Sequence, residues 1–260
     1  MNESILVQEY LDFAVDAAWR AGQFTLAHFQ TGVAVDWKAD QSPVTVADRG
    51  AETLLRALIE RRFPEHAILG EEMGEDENSE KDGSHRWIID PIDGTQSFIA
   101  GVPFYGVLLG LEISGEMVVG VAYFPGLSDM ISAGRGLGCR WNGRLARVSD
   151  VERLENARLV FTDIAALERE ERDAWSLLKQ ATRIQRGWGD CYGHCLVATG
   201  RAEVMLDPIM KVWDCAALLP ILQEAGGTFT DWKGKPTVTS PNAVSTNGAL
   251  LESVINILGF

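Results

Sequence analysis

The segment Trp87-Ile-Ile-Asp-Pro-Ile-Asp-Gly-Thr95 joins a short apolar stretch to a turn that is rich in oxygen ligands. Its first three residues are bulky and β-prone, which predicts a short buried strand. Pro91 has no N–H and cannot extend a central ladder, so we expect the chain to leave the sheet at Asp90. The acidic residues would then lie on a turn at the end of the strand.

That turn carries the groups that a phosphate site with cations requires. Asp90 and Asp93 supply carboxylates, Gly94 lets the backbone approach a ligand closely, and Thr95 begins a predicted helix. Carboxylates beside a helix N-terminus can hold hard cations and a phosphate together. An Asx-type turn that caps the helix is the alternative; it accounts for a lone Asp-x-x-Asp but not for the whole nonapeptide.

Composition indicates a soluble globular protein with a sizeable core. The chain has 260 residues, of which 46% are apolar and 23% charged. Its net charge of −14 argues against nucleic acid as a partner. An acidic protein that binds an anionic phosphate needs another source of positive charge, and bound divalent ions would supply it.

The sequence has no membrane-span, targeting or paired-cysteine pattern, and this predicts where the protein is located and the state of its cysteines. No apolar stretch reaches the length of a membrane span and the N-terminus has no basic, apolar targeting pattern, so we expect a cytoplasmic protein with no membrane partner. The cysteines at 139, 191, 195 and 215 form no paired framework and are expected to be reduced. Zinc binding by Cys191, His194 and Cys195 is disfavoured, because this segment has the pattern of a packed helix and no second ligand pair follows.

Periodicity predicts a helical layer and a meander in the first part of the chain. Helices are expected over 4–30 and 46–63 with a polar loop or hairpin over 36–45, a strand over 67–72, a solvated acidic loop over 75–82, and an antiparallel meander over 105–149.

Beyond residue 150 strands and helices alternate, which predicts a mixed sheet covered by helices. Strands are expected over 158–162, 183–188, 203–206 and 227–232, and helices over 172–182, 191–199, 212–225 and 250–258. The fold class is therefore mixed α+β and α/β. We expect two halves packed as one unit: residues 1–149 with most metal ligands and the phosphate site, and residues 150–260 with Asp214 and the segment that selects the substrate.

Further acidic residues accompany the central turn. Gly70-Glu71-Glu72 ends a predicted strand, and Asp48 and Asp214 each stand near a helix start. Taken singly, Asp48 and Asp214 fit helix caps as well as ligands. Because all these groups are oxygen donors, the set favours Mg²⁺, Mn²⁺ or Ca²⁺ over zinc.

Together these segments resemble the inositol monophosphatase family of Mg²⁺-dependent, Li⁺-sensitive phosphomonoesterases. The resemblance spans essentially the whole chain and is carried by residues 70–72, 87–95, 213–217 and 224–227. It implies an αβαβα layered sandwich and a homodimer.

The resemblance also implies roles for individual residues. A first Mg²⁺ would be held by Glu71, Asp90 and the carbonyl of Ile92; a second by Asp90, Asp93 and Asp214; a weaker third would lie near Glu71. A metal-activated water would attack phosphorus directly, without a phosphoenzyme, with its proton directed toward Glu71 or the Thr95–Asp48 pair. The N–H groups of Gly94 and Thr95 would bind phosphate, and Lys38 would lie near the metals or remain a solvated lysine.

Within the family, the second half of the chain looks like the histidinol-phosphatase branch. The segments 96–103, 186–193 and 207–214 carry this likeness. Histidinol phosphate has an ammonium group and an imidazole that titrates near neutrality, so it calls for carboxylates and an aromatic face. The expected pocket residues are Arg186, Trp188, Asp190, Tyr192 and Asp207; ordinary packing for Trp188 and Tyr192, and a turn before Pro208 for Asp207, are the alternatives.

The sequence thus predicts a Mg²⁺-dependent histidinol-phosphatase. An inositol-1-monophosphatase or a broad sugar-phosphate phosphatase is the alternative within the class. A catalytically silent regulatory relative is the alternative outside it, and the intact acidic set speaks against it.

Overall fold

The computed structural model describes residues 3–75, 84–170 and 172–259. The acidic run expected to form a loop over 75–82 therefore lies outside the described residues, except for Glu75. None of the described helices is both long and apolar enough to cross a lipid bilayer.

The first half of the chain builds the large sheet, which in the described residues has eight strands in the order β10-β9-β8-β7-β6-β5-β3-β4. Its elements are β3 (Ala67–Gly70), β4 (Gly74–Glu75), β5 (His85–Asp93), β6 (Gly106–Ile113), β7 (Glu116–Phe124), β8 (Asp129–Gly134), β9 (Gly138–Trp141) and β10 (Arg144–Leu145). Strands β6 to β10 form the predicted antiparallel meander, β6 pairs antiparallel with β5, and β3 pairs parallel with β5.

Two helices cover one face of the large sheet, as the periodicity predicts. They are α1 (Glu3–Leu26) and α2 (Val46–Arg62), and the predicted hairpin between them is formed by β1 (Val35–Trp37) and β2 (Pro43–Thr45). Their alanine-rich apolar faces pack on the central strands in a core that includes the fully buried Trp87. Helix α1 ends at Leu26, four residues before the predicted end, and turns cover residues 27–30.

The second half of the chain builds the small sheet, with five strands among the described residues in the order β12-β11-β13-β15-β14. They are β11 (Arg158–Phe161), β12 (Ile184–Arg186), β13 (Val204–Asp207), β14 (Thr228–Thr230) and β15 (Ala243–Thr246). The first three are parallel and the other two antiparallel, so the predicted mixed sheet is confirmed. Strand β15 was not among the predicted strands.

Helices fill the space between the sheets and cover the outer face of the small one. The short α3 (Thr95–Ile99) follows β5; α6 (Asp190–Ala198), α7 (Val212–Ala216) and α8 (Leu218–Glu224) lie between the sheets; α4 (Ile164–Glu170), α5 (Arg172–Ala181) and α9 (Leu251–Leu258) lie outside. The layers therefore run α, β, α, β, α. Helix α4 was not predicted.

Two further sequence predictions about element ends are wrong, and a proline is involved in each. Strand β5 does not stop at Asp90 but continues to Asp93, and Pro91 falls within a register shift, one of the few sheet positions that tolerates a missing N–H. The single helix expected over 212–225 is divided at Ala217, because Pro220 has no N–H for the carbonyl of Ala216 and its ring crowds that carbonyl.

A pair of glycines sets the distance between the large sheet and the divided helix. Gly110 and Gly120 stand opposite each other on β6 and β7. A Cβ atom on Gly120 would lie 2.1 Å from the carbonyl oxygen of Ala217, and one on Gly110 would lie 2.9 Å from the carbonyl carbon of Ala216. The backbone at the start of α8 can approach the sheet only because both side chains are missing.

We predict that Gly120→Ala destabilises the protein by about 1–3 kcal/mol, since the added methyl must push α8 away from the sheet. Urea unfolding measures the change. Gly187→Ala is a matched control for stability, because its Cβ would lie 3.5 Å from Phe161, an ordinary contact. Equal midpoints for Gly120→Ala and the wild type would contradict this account of the sheet–helix contact.

Candidate active site

The register shift in β5 brings two carboxylates to one side of the strand. Asp90 pairs with Leu108 and Asp93 pairs with Gly106. The chain therefore advances by three residues on β5 where it advances by two on β6, so β5 contains one extra residue. Side chains three residues apart on a regular strand point to opposite faces, but the extra residue of a β-bulge brings them to the same face. The bulge at Pro91 therefore allows Asp90 and Asp93 to face the same site.

A third carboxylate reaches this site from the second half of the chain. Asp214 lies in the first turn of α7, and its Oδ2 accepts a hydrogen bond of 2.7 Å from the N–H of Lys211. One carboxylate oxygen from each of Asp90, Asp93 and Asp214 lies within 4.8 Å of the other two. The three acids thus form a cluster that could hold a metal ion.

Burial and mutual repulsion dominate the electrostatics of this cluster. Burial raises the pKa of Asp90 well above its usual range, and the charges of Glu71, Asp93 and Asp214 raise it further. Burial, followed by repulsion from Asp214, raises the pKa of Asp93 to about 7. Burial, with repulsion from Glu71, raises the pKa of Asp214 to about 7 despite the Lys211 N–H. The cluster is stable as carboxylates only when cations offset their charge.

Glu71 stands beside the cluster and is paired with a lysine. The Nζ of Lys38, from the turn of the β1–β2 hairpin, lies 2.7 Å from Oε1 of Glu71 and 2.6 Å from Oε1 of Glu72. Burial lowers the pKa of Lys38, but the two hydrogen bonds outweigh it and the pKa is raised. Burial likewise raises the pKa of Glu71 although Lys38 opposes this. The structure therefore brings Lys38 to the edge of the candidate site.

Sequence reasoning missed Glu52, the residue that shapes the turn after Glu71. Glu52 is fully buried on α2, and its carboxylate accepts hydrogen bonds from the N–H groups of Glu72, at 2.7 Å, and Met73, at 3.2 Å. Arg56, one turn later, donates to the same carboxylate at 2.8 Å. A Cβ on Gly70 would lie 2.0 Å from Oε1 of Glu52. The one available signal was a Glu–Arg pair at i and i+4 within the predicted helix α2.

The predicted Thr95–Asp48 pair is present with a supporting threonine. Oδ2 of Asp48 accepts hydrogen bonds from the N–H and Oγ1 of Thr45, at 2.8 Å and 2.7 Å, which closes a capping box at the start of α2. Oγ1 of Thr95 lies 3.5 Å from Oδ1 of Asp48 and donates to the carbonyl of Ile92 at 3.0 Å. Burial raises the pKa of Asp48 against these Thr45 hydrogen bonds. Asp48 thus completes the capping box of α2 and is also a neighbour of Thr95.

Gly94 occupies a backbone conformation that other residues rarely adopt. Its φ is 80°, and it caps α3, so the chain turns from β5 into the helix at this residue. An added Cβ would lie 3.0 Å from Oδ2 of Asp190, which comes from the start of α6. Gly94 therefore brings the turn close to Asp190, one of the predicted pocket residues.

A cleft of about 950 Å³ opens beside Glu71, Gly94 and Thr95. Its lining also includes Asp190 and Asp207, two of the predicted pocket residues. The described lining residues carry five carboxylates and one ammonium group, from Asp40, Glu71, Asp163, Asp190, Asp207 and Lys211. The cleft lining is therefore rich in acidic groups beyond the metal cluster, and burial raises the pKa of Asp190 to about 7 and the pKa of Asp207 well above its usual range.

The other predicted pocket residues take different places. Trp188 is 39% exposed. Arg186 is also exposed, and its Nη1 donates a hydrogen bond of 2.7 Å to the carbonyl of Gln185. Neither side chain is among the described residues that line the cleft. Tyr192 lies behind the wall, stacked on Phe104 with ring centroids 4.8 Å apart. Phe104 itself lines the cleft. Of the aromatic residues, the structure thus brings Phe104 to the cleft instead of Trp188 or Tyr192.

The buried cysteines and histidine do not form a metal site. Among the described residues, the one cluster of potential metal ligands is that of Asp90, Asp93 and Asp214. His194 is fully buried and its Nδ1 lies 2.7 Å from Oγ of Ser245, as expected of a packed helix residue. All four cysteines are free.

A layered αβαβα fold with a buried carboxylate cluster beside a glycine turn and a cleft is the arrangement of a metal-assisted phosphatase. A model of the inositol monophosphatase family matches residues 6–258. The chain belongs to the inositol monophosphatase family, and it is a phosphatase, a hydrolase.

Proteins similar to this chain have different named functions. A histidinol-phosphatase from Chlorobaculum parvum is 44% identical over 252 residues, which cover 96% of this chain and 96% of that protein. A Nus factor SuhB from Pseudomonas aeruginosa is 34% identical, covering 88% of this chain and 87% of that protein. The relatives thus include both an enzyme of histidinol phosphate hydrolysis and a protein named for another role.

Solved structures confirm the predicted fold. The inositol monophosphatase from Anabaena superposes with a TM-score of 0.84 at 30% identity, covering 96% of this chain and 95% of that chain. An IMPase/NADP phosphatase, solved in complex with Mg²⁺ and phosphate, has the same fold with a TM-score of 0.85 at 23% identity, covering 98% of this chain and 96% of that chain.

The raised pKa values predict that the metal-free protein loses stability as the pH rises. Asp93 and Asp214 have pKa values of about 7 in the folded state, above the ordinary 3.8, so the folded protein binds more protons between these values. The contribution of these two groups to stability is then greatest at about pH 4 and below, and it falls as the pH rises toward 7. Thermal unfolding in EDTA should show a fall on the order of 5 °C between about pH 5 and about pH 8.

Two comparisons make this measurement specific to the cluster. Asp93→Asn removes one of the repelling charges, so the metal-free variant should be more stable than the wild type at the higher pH. Mg²⁺ should raise the melting temperature of the wild type more at the higher pH than at the lower one. A metal-free protein that grows more stable over this pH range would contradict the account of the cluster.

Proposed function

We propose that this protein is a Mg²⁺-dependent histidinol-phosphatase, which hydrolyses L-histidinol phosphate to L-histidinol and phosphate in histidine biosynthesis. The observation that carries this substrate is the carboxyl group of Asp190, which lines the cleft directly beside Gly94 on the phosphate turn. A neutral polyol needs hydrogen bonds, whereas a cationic amino alcohol is favoured by carboxylates. The 44% identity with a histidinol-phosphatase supports the same substrate.

The acidic residues fit two divalent cations. Glu71, Asp90 and the carbonyl of Ile92 would hold one ion; Asp90, Asp93 and Asp214 would hold the other, and a weaker third could lie near Glu71. Every donor is an oxygen, which suits Mg²⁺, and the repulsion within the cluster supplies a reason for binding. Bound Mg²⁺ would supply positive charge to the phosphoryl oxygens and make water a better nucleophile at neutral pH.

The remaining residues of the site would orient the phosphate and accept the proton. The N–H groups of Gly94 and Thr95 stand at the turn from β5 into α3, where backbone donors can face a phosphate. The attacking water would give its proton to Glu71 or to the Thr95–Asp48 pair, whose Thr95 Oγ1 lies 3.5 Å from Oδ1 of Asp48. Lys38 would contribute positive charge beside Glu71.

A phosphate-release panel tests the proposed function. L-histidinol phosphate, myo-inositol 1-phosphate and glycerol 1-phosphate are compared in Mg²⁺ and in excess EDTA. We predict that the wild type prefers L-histidinol phosphate and that activity is lost in EDTA and in Asp93→Asn. A preference for the inositol ester would establish the alternative within the family, and no release of phosphate from any ester would favour the regulatory alternative.

Asp190→Asn tests whether the carboxyl group of Asp190 selects the substrate. A charge-assisted hydrogen bond to an ammonium group contributes roughly 1.5–3 kcal/mol, so we predict a loss of about one to two orders of magnitude in kcat/KM for L-histidinol phosphate. The loss for glycerol 1-phosphate should be clearly smaller. Equal losses on both esters would mean that Asp190 supports the fold or the metals instead of the substrate cation.

Lithium provides an independent test of the second cation position. If Asp90, Asp93 and Asp214 hold a Mg²⁺ ion, Li⁺ should compete for that position and inhibit at millimolar concentrations. Steady-state rates over a Li⁺ series, with Na⁺ as the matched salt, give the result. Rates that respond identically to both salts would contradict this assignment of the second position.

A further inference from the structure

The ends of three adjacent parallel strands place a threonine between the two acids of the cleft wall. Thr162 follows β11, Asp207 ends β13, and Asp190 stands four residues after β12. Because β12, β11 and β13 are parallel neighbours, their carboxyl ends meet at one edge of the small sheet. All three residues line the cleft.

The carboxylate of Asp207 is already occupied by bonds within the protein. Its Oδ2 accepts a hydrogen bond of 2.6 Å from Oγ1 of Thr162, and its Oδ1 accepts one of 3.2 Å from the N–H of Ile209. Asp207 is only 4% exposed. Each oxygen therefore has a protein donor, and little of the side chain faces the cleft.

The same threonine hydroxyl also holds the backbone of Asp190. The N–H of Asp190 donates to Oγ1 of Thr162 at 2.9 Å, so the hydroxyl accepts from Asp190 while it donates to Asp207. Asp190 has a φ of 52°, in the left-handed region that costs a residue with a side chain. Such a conformation persists only where the surroundings fix it.

Close packing beside Thr162 adds a second restraint on this backbone. A Cβ on Gly189 would lie 2.3 Å from Cα of Thr162, so the backbone segments of these two residues are in direct contact. The next N–H, that of Cys191, donates to Oδ2 of Asp93 at 2.6 Å. Asp190 is thus held between the small sheet and the acidic cluster.

The carboxylate of Asp190, in contrast, retains room for a ligand. Its one recorded hydrogen bond among the described residues is with Oγ of Ser97, at 3.5 Å, the outer limit for such a bond. No described cation pairs with it. Asp190 also lies next to Gly94 on the phosphate turn, within reach of an ester bound there.

We infer that Asp190 alone contacts the cationic group of the substrate, and that Asp207 acts through the hydroxyl of Thr162 to position Asp190. Thr162 is therefore a positioning residue for substrate selectivity. The inference rests on the proposed function, because it requires a cationic phosphate ester, and it separates the roles of two acids that the sequence treats alike.

The test compares kcat and KM of Mg²⁺-loaded protein for L-histidinol phosphate and for glycerol 1-phosphate. Thr162→Val removes the hydroxyl at nearly constant volume, and Thr162→Ser keeps the hydroxyl as the matched control. We expect Thr162→Val to reduce the preference for L-histidinol phosphate about tenfold, mainly through a higher KM, and Thr162→Ser to restore most of it. An unchanged preference in Thr162→Val would overturn the inference.

Asp207→Asn gives an independent comparison if Thr162→Val fails to fold. The amide oxygen of an asparagine can accept from Thr162 while its NH2 group faces the N–H of Ile209, whose bond to Asp207 is the longer one at 3.2 Å. Asp207→Asn should therefore lose clearly less of the preference than Asp190→Asn. Equal losses in the two variants would mean that Asp207 contacts the substrate itself and would also overturn the inference.

Amide hydrogen exchange of Asp190 supplies a readout that needs no substrate. Exchange followed by NMR should be slow in the wild type and in Thr162→Ser and faster in Thr162→Val; equal exchange in all three would contradict the positioning contact. A wild type without preference for L-histidinol phosphate would overturn the proposed substrate and this inference with it. A wild-type preference that survives in Thr162→Val would overturn the inference alone.

Discussion

The structure depends on the repulsion between carboxylates that the fold buries together. Asp90, Asp93 and Asp214 place oxygens within 4.8 Å of one another, and burial together with repulsion raises all three pKa values. Such a cluster opposes folding at neutral pH unless cations or protons offset it. It persists because the same arrangement can bind divalent ions, so a local cost in stability accompanies the capacity for catalysis.

Several elements far apart in the chain serve to assemble this cluster. The bulge at Pro91 turns Asp90 and Asp93 to one face, and the glycines at 110 and 120 let the backbone of α8 approach the sheet, which brings the neighbouring α7 and Asp214 to β5. The buried carboxylate of Glu52 accepts a hydrogen bond from the N–H of Glu72 and so holds the turn after Glu71 in place. The first half of the chain therefore supplies the strand that carries two acids, and the second half supplies the helix that carries the third.

Local sequence patterns predicted most elements, and the errors have physical causes. Periodicity located α1, α2 and the meander because their buried faces repeat at regular intervals. It missed β15 and α4, which are short, and it joined α7 to α8 because the apolar pattern continues through Pro220. The acidic residues of the site could be predicted from their type and spacing in the sequence. Glu52 and Thr162 could not, because they act through contacts with residues 20 and 45 positions away, which no local pattern reveals. The same limit explains why Trp188 was expected in the cleft and Phe104 was not.

The most direct test of the account is a crystal structure of the protein soaked with Mn²⁺, whose anomalous scattering locates the ions. The account predicts one peak at about 2.2 Å from oxygens of Asp90, Asp93 and Asp214, and a second beside Glu71 and Asp90. Peaks at other surface carboxylates with none at this cluster would show that buried repulsion is relieved by protons alone, and would contradict the claim that the cluster is a cation site.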